Sequence, residues 1–221
     1  NSFLTKRVGG FELKRRDSSY IFEENFNFVD FAKVDKTKYR YWLSGYFQDP
    51  RYFQSHLATI NLELTPPEPT DEKYLKIARM SEQHELISVG IRIYEESKSP
   101  EVHSKDGIMK SIQEYQNVIR KLIDVVPNPL IIVFTTKQFD FLKNFGFPEN
   151  TIFVNSDTNF HSTTDTLWLI SKCRHHIFNN STFYWWGATL SEPQHKGIDQ
   201  QIYCADNFLN PSIAFSNWKT F

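Results

Sequence analysis

Short β-branched runs alternate with segments of helical periodicity through the second half of the chain. The strand-like runs are "LISVGIRI", "NPLIIVFTT", "TIFVNS", "HHIFN" and "QIYCA". The helix-like segments between them are Asp106–Val126, "KQFDFLKNFG" with Gly146 as its stop, "TTDTLWLISKC" and "STFYWWGATLSE". Strands and helices that alternate at this spacing predict an α/β fold, with a parallel sheet that carries helices on both faces.

The first part of the chain has a different organisation. Tyr39–Phe47 ("YRYWLSGYF") predicts a strand, and "DPRYFQSHLATINLEL" predicts a helix with Pro50 in its first turn. "TPPEPT" then interrupts the chain with three prolines, and Asp71 and Glu72 suit the start of another helix. We therefore predict an incomplete N-terminal domain at residues 1–70 and a Rossmann-like C-terminal domain at residues 71–221.

Charge and hydropathy exclude several classes of protein. The formal net charge is −1 and no basic stripe stands out, so we do not expect nucleic acid as a partner. The apolar runs are far shorter than the roughly 20 residues of a membrane span. The opening "NSFLTKRVGG" has no apolar centre and does not resemble a signal peptide. We expect a cytoplasmic location, either at the membrane periphery or away from it.

The cysteines and histidines do not form a predicted metal site. Cys173 and Cys204 lie in apolar-patterned segments, which favours small buried side chains in a reducing compartment; a disulfide is the alternative. His175 and His176 are adjacent, so on a strand they would point to opposite faces and could not share one ion. No Cys/His spacing typical of zinc occurs, and no Asp-X-Asp motif is present.

The segment "HHIFNNSTFYWWGATLSE" joins a predicted strand to a predicted helix through a run of polar residues. The strand ends at about Phe178, and the helix begins near Phe183. In an open parallel sheet, ligands bind beyond the carboxyl ends of the strands, and a helix N-terminus there suits a phosphate. Ordinary N-capping is the alternative for the polar run. Trp185 and Trp186 are either core residues or part of a ligand platform.

Read as a whole, this segment resembles a known family signature. "NNSTFYWWGATL" is similar to "SNSTFSWWGAWL" of the α-1,2-fucosyltransferases, "SKCRHHIF" is similar to their "SLCKHNII", and "LSGYFQDPRYF" is similar to "LDGYFQSEKYF". The resemblance runs from about Phe11 to the closing "NWKTF". It implies a two-domain Rossmann-like (GT-B-like) glycosyltransferase, with residues 1–70 on the acceptor side and residues 71–221 binding the nucleotide sugar. It also implies GDP-fucose as donor, a glycan as acceptor, an inverting reaction and no metal or other cofactor.

The chain departs from the family's donor signature "VSVHIRRGDY", where it reads "ISVGIRIYEE". Arg92 retains the first arginine, Gly90 replaces the histidine, Ile93 replaces the second arginine, and Glu95 matches the acidic position. The family's "FSDD" becomes "FTTK", and its N-terminal "GGLGNQ" is not found. An arginine can pair with two phosphate oxygens, so the resemblance implies that Arg92 holds the diphosphate. A strand-edge arginine in a surface salt bridge is the alternative.

We predict a set of site residues with distinct roles. The donor-binding candidates are Arg92, Asn180, Ser181, Thr182 and Phe183. The general-base candidates are Glu95, which is first because it matches the acidic position, and Glu96. The supporting candidates are Tyr46, Gln48, Asp165, Trp185 and Trp186. Two other hypotheses stay open: a glycosyltransferase with another donor or acceptor, and a non-catalytic relative that binds a sugar nucleotide or glycan.

Overall fold

The computed structural model describes residues 18–37, 40–93, 110–208 and 210–221 of the 221-residue chain. The chain divides into two compact units, Asn1–Tyr52 and Phe53–Phe221. The predicted boundary at residue 70 lies inside the second unit, because the helices on both sides of "TPPEPT" belong to that unit. The roles assigned to residues 1–70 and 71–221 stay predictions.

The described part of the first unit contains two short parallel strands and several 3-10 turns. Strand β1 spans Ser18–Phe22 and β2 spans Arg40–Ser44, with Tyr20 opposite Trp42. The 3-10 turns are Glu24–Phe26, Phe31–Lys33 and Pro50–Tyr52. Strand β2 was predicted, whereas β1 was not, because its few residues show no clear alternation.

The second unit is built on a parallel sheet, six-stranded among its described residues, in the order β5-β4-β3-β6-β7-β8. Its strands are β3 Glu85–Gly90, β4 Pro129–Phe134, β5 Ile152–Val154, β6 His175–Phe178, β7 Ile202–Cys204 and β8 Lys219–Thr220. Its α-helices are α1 Leu57–Leu64, α2 Glu72–Arg79, α3 Ile112–Val125, α4 Thr163–Lys172 and α5 Thr182–Ser191. Its 3-10 turns are Gln54–His56, Met80–Glu82, Asp140–Phe145, Ser156–Thr158 and Glu192–His195.

Helices cover both faces of this sheet, as the alternating pattern predicted. On one face Ile87 and Val89 of β3 pack with α3 residues such as Tyr115 and Leu122. On the other face Leu86 of β3 packs in a cluster formed with α2, α4 and α5. Because successive strand residues point to opposite faces, a strand covered on both sides is apolar throughout. The prediction of an α/β fold with a doubly covered parallel sheet is confirmed.

Two predicted elements differ from the observed ones. "DPRYFQSHLATINLEL" is not one helix: it forms two 3-10 turns before α1 begins at Leu57. The buried Asp49 carboxylate accepts a hydrogen bond from the Arg51 backbone N–H (2.9 Å), and such a local bond competes with helical pairing. Strand β3 also ends at Gly90 rather than at Ile93. By contrast, the Asp140–Phe145 turn ends, as predicted, at Gly146 in the left-handed region (φ 65°).

Both cysteines and both adjacent histidines are buried. Cys173 and Cys204 are free thiols, which confirms the predicted small buried side chains and removes the disulfide alternative; the reducing compartment stays a prediction. His175 accepts a hydrogen bond at Nδ1 from the Gln201 N–H (3.0 Å), and His176 Nε2 lies 2.9 Å from Ser191 Oγ. Among the helices of the described residues, none combines the length and the apolarity that a bilayer crossing requires. The cytoplasmic location stays a prediction.

Candidate active site

The polar turn after β6 is buried at the carboxyl end of the sheet. Asn179, Asn180 and Ser181 are all less than one-tenth exposed, and α5 begins immediately after them at Thr182. Ser181 is the N-cap residue, yet its side chain makes no capping hydrogen bond. The simple capping alternative is therefore wrong for Ser181. The backbone N–H groups of the first turn of α5 therefore lie at the positive end of the helix dipole without a capping bond from Ser181.

Arg92 lies directly beside this turn. Its backbone N–H donates to Asn179 Oδ1 (2.8 Å), and Asn179 Nδ2 donates to its carbonyl oxygen (2.8 Å). The two hydrogen bonds tie the chain after β3 to the chain after β6, the neighbouring strand. The structure thus brings together Arg92 and the turn that carries the other predicted donor-binding residues. Their binding role stays a prediction.

Two tyrosine hydroxyls donate to backbone carbonyls at the carboxyl ends of β3 and β4, near Gly90. Tyr115 of α3 donates to the Gly90 carbonyl (2.9 Å), and Tyr184 of α5 donates to the Phe134 carbonyl at the end of β4 (2.9 Å). Burial raises the pKa of Tyr115 well above its ordinary value, so this hydroxyl stays protonated and acts as a donor. The ends of β3 and β4 are therefore each held by a buried tyrosine hydroxyl, one from each face of the sheet.

The two tryptophans differ in their surroundings. Trp185 is fully buried; its Nε1 donates to the Ile213 carbonyl (2.9 Å), and its ring packs against Phe215 with centroids 5.3 Å apart. Trp186 is half-buried and contacts Trp185 edge to face at 4.9 Å. Trp185 therefore anchors α5 in the core behind the turn, while Thr182 and Phe183 at the start of the helix keep exposed surface.

The remaining predicted residues are not brought to this turn by any described contact. Asp165 lies in the first turn of α4, half-buried. Tyr46 and Gln48 belong to the first unit, where Tyr46 is 69% exposed and stacks on Phe26. The two general-base candidates, Glu95 and Glu96, lie outside the described residues.

The sequence analysis did not predict a charged cluster that lies at the same carboxyl end of the sheet. Lys110, whose side chain is only 6% exposed, pairs with Glu114 (2.7 Å) and with Asp206 after β7 (2.8 Å). The hydrogen bond from Lys110, followed by those from Ser111, lowers the pKa of Glu114 to about 2. Ser111 and Glu114 also form a capping box that begins α3. The sequence "SIQE" carried that signal, whereas nothing local indicated the pairing with Asp206.

A separate pocket lies away from the turn after β6. A pocket of about 610 Å³ opens at the opposite, amino-terminal edge of the sheet, where Arg174, His175 and Gln201 contribute to its lining. It is distant from the turn after β6 because parallel strands place their two ends at opposite edges. Within the ranges that the structure describes, no three His, Cys, Asp or Glu side chains could hold a metal ion. The expectation of no metal stays a prediction.

Comparisons with known proteins agree on one family. The family model described as "Glycosyl transferase family 11" matches residues 18–220. The chain is 30% identical over 196 residues to the Escherichia coli protein named "O-antigen biosynthesis glycosyltransferase WbnK", covering 86% of this chain and 62% of that protein. It is 29% identical over 157 residues to an Escherichia coli "Alpha-1,2-colitosyltransferase", covering 66% of this chain and 50% of that protein. The chain therefore spans less than two thirds of the length of either relative.

A solved structure also resembles the chain distantly. It is the E. coli ADP-heptose lps heptosyltransferase II, with a TM-score of 0.42 and 10% sequence identity, over 71% of this chain and 44% of that one.

Proposed function

The chain belongs to glycosyl transferase family 11, and on that basis we propose that it transfers fucose from GDP-fucose to a hydroxyl group of an acceptor glycan, with inversion at the anomeric carbon. The single observation that carries the proposal is the pair of 2.8 Å hydrogen bonds between Asn179 and the backbone of Arg92. They hold an arginine beside a helix N-terminus that its N-cap side chain leaves open. An arginine placed beside the N-terminus of a helix suits a nucleoside diphosphate, since the guanidinium and the helix N–H groups can both donate to phosphate oxygens.

The charges of the reaction fit this arrangement. As the acceptor hydroxyl attacks the anomeric carbon, the bond to the diphosphate breaks and negative charge gathers on the departing GDP. Arg92 and the first N–H groups of α5 would stabilise that charge, so the proposal includes no metal ion. Glu95, or else Glu96, would take the proton of the attacking hydroxyl.

The first unit is proposed to face the acceptor. Tyr46 is 69% exposed and keeps its ring orientation by stacking on Phe26, with ring centroids 5.4 Å apart. An exposed aromatic ring with a fixed orientation suits the apolar face of a sugar. Gln48, half-buried in the same unit, would supply an amide to acceptor hydroxyls.

A different donor sugar is the second candidate. It is favoured by the relative named for colitosyl transfer and by Gly90 and Ile93, which stand where the resembling motif has a histidine and an arginine. The same two departures favour the third candidate, a non-catalytic binder of sugar nucleotides.

Calorimetry with GDP and with GDP-fucose tests the proposal directly. We expect both to bind, and we expect GDP-fucose with a suitable glycan to release GDP. No heat of binding at about 1 mM of either ligand would remove both transferase candidates. Binding of GDP together with transfer from another GDP-sugar would select the second candidate, and binding without any turnover would select the third.

A further inference from the structure

Gly90 and Tyr184 are sterically interlocked. A Cβ atom built on Gly90 would lie 2.5 Å from Cγ of the Tyr184 ring and 2.6 and 2.8 Å from its Cδ2 and Cδ1 atoms. Carbon atoms in contact prefer roughly 3.5–4.0 Å, so the ring rests on the strand backbone itself. While Tyr184 keeps this position, glycine is the residue that fits at position 90.

The ring of Tyr184 is held at its far end as well. Its hydroxyl donates to the carbonyl of Phe134, the last residue of β4, at 2.9 Å, and the residue is 6% exposed. The side chain therefore reaches from the first turn of α5 across the end of β3 to the end of β4. Any rotation away from Gly90 would break this hydrogen bond in a buried setting.

Compared with the motifs that the chain resembles, Gly90 is smaller and Tyr184 is larger than the residue at the matching position. "VSVHIRRGDY" has a histidine where Gly90 stands, and "SNSTFSWWGAWL" has a serine where Tyr184 stands. Here the strand residue is small and the helix residue is large, and the Tyr184 ring occupies the space beside Gly90. We propose that Tyr184 replaces the histidine of the motif by volume and acts as a positioning residue for the donor diphosphate.

The positioning follows from the connections of the strand end. Gly90 is pressed by Tyr184 and held at its carbonyl by Tyr115, and Arg92 is held two residues later by Asn179. Loss of the Tyr184 ring removes the contact that ties the first turn of α5 to Gly90. Arg92 and the helix N-terminus would then be less firmly fixed relative to each other, since the Asn179 hydrogen bonds would remain without the Tyr184 contact.

A double-mutant cycle with Tyr184→Ser, Gly90→His and the combined variant tests this proposal. The positioning role of Tyr184 rests on the proposed function for the identity of the ligand, GDP, and the steric interlock does not. We expect each single change to lower the melting temperature and to weaken GDP binding roughly tenfold, and we expect the combined variant to recover most of both losses. Tyr184→Phe, which keeps the ring, should bind GDP within about twofold of the parent.

Leu122→Ala is the matched control for lost stability. Leu122 is buried near the end of α3 that lies at the opposite edge of the sheet, so this variant should melt earlier but keep its GDP affinity. Calorimetry is run well below all melting temperatures, on samples shown to be folded by circular dichroism. Additive losses in the combined variant would overturn the interlock. If the losses in melting temperature were non-additive but GDP affinity were unchanged in all three variants, the positioning role would be overturned. If the parent itself does not bind GDP, the proposed function fails, while the melting temperatures still decide the interlock.

Discussion

The side-chain amide of Asn179 satisfies both backbone polar groups of Arg92, accepting from its N–H and donating to its carbonyl, each at 2.8 Å. An amide is the side chain that carries one acceptor and one donor at this spacing. The Asn179 amide therefore joins the segment that follows β3 to the segment that follows β6 by two hydrogen bonds. These bonds lie just beyond the residues at which the two strands pair through their backbones. The position of the arginine depends on a residue that follows a different strand.

Removal of this amide should loosen Arg92. Asn179→Ala leaves two part-buried backbone groups of Arg92 without their partner, so we expect a loss of about 2 kcal/mol in the free energy of unfolding. GDP affinity should fall as well. Urea denaturation and calorimetry measure the two effects. Asn117→Ala, on the exposed face of α3, is the control and should change neither; unchanged GDP binding in Asn179→Ala would argue against this role of the amide.

Substitutions of Arg92 test the diphosphate contact. Arg92→Ala should weaken GDP binding by at least roughly tenfold, because it removes charge-assisted hydrogen bonds. Arg92→Lys should fall between parent and Arg92→Ala, since lysine keeps the charge but loses the planar fork. Calorimetry measures the three affinities, with Arg120→Ala on exposed α3 as the control. Equal affinity in all variants would place the diphosphate elsewhere.

Chelation of divalent cations should leave the reaction rate unchanged. The proposal assigns the stabilisation of the leaving diphosphate to Arg92 and to the N-terminus of α5, so no cation is needed for that task. Release of GDP is measured with and without excess EDTA. A rate that collapses with EDTA and returns with added Mg²⁺ or Mn²⁺ would contradict the assignment.

Stability should decline as the pH falls below about 6.5. Burial lowers the pKa of His175 to about 4 and that of His176 to about 3, so the folded protein takes up these protons only in strongly acidic solution. The unfolded chain takes them up near the ordinary value, and its excess of bound protons favours unfolding. His176 alone should remove about 2 kcal/mol of unfolding free energy between about pH 7.5 and about pH 5.

Urea denaturation at those two pH values checks this expectation. His176→Gln replaces the imidazole by an amide that does not titrate. This variant should therefore show a smaller difference in unfolding free energy between the two pH values. Glu114, with its pKa lowered to about 2, adds acid sensitivity only below its ordinary value near 4.5, and so it does not contribute in this window. Equal stability at both pH values would contradict the burial of neutral imidazoles.

Close packing of α4 on α5 makes Gly187 intolerant of a side chain. A Cβ there would lie 2.2 Å from Ile170 Cγ2 and 3.0 Å from its Cβ. We expect Gly187→Ala to lower the free energy of unfolding by about 1–3 kcal/mol. In the double variant with Ile170→Ala the combined loss should be smaller than the sum of the two single losses, as urea denaturation can show. Strict additivity would mean that the helices shift apart instead.

Much of the second unit was predictable from local patterns. The apolar runs of β4 and β6 and the helical spacing of α3 record which side chains are buried, and burial on both faces makes strands apolar throughout. The polar residues before α5 likewise indicated a turn at the carboxyl edge. By contrast, β8 has only two residues and is a strand because β7 lies beside it.

The amino-acid sequence by itself determined the α/β class, the order of strands and helices along the second half, and the polar turn before the paired tryptophans. These follow from side-chain periodicity, which acts over neighbouring residues. Only the tertiary structure decided that Asn179 holds Arg92, that Tyr184 fills the space above Gly90, and that Lys110 pairs with Asp206. Each pair joins residues far apart in the chain, and such contacts depend on the shape and hydrogen bonds of surfaces that meet only after folding.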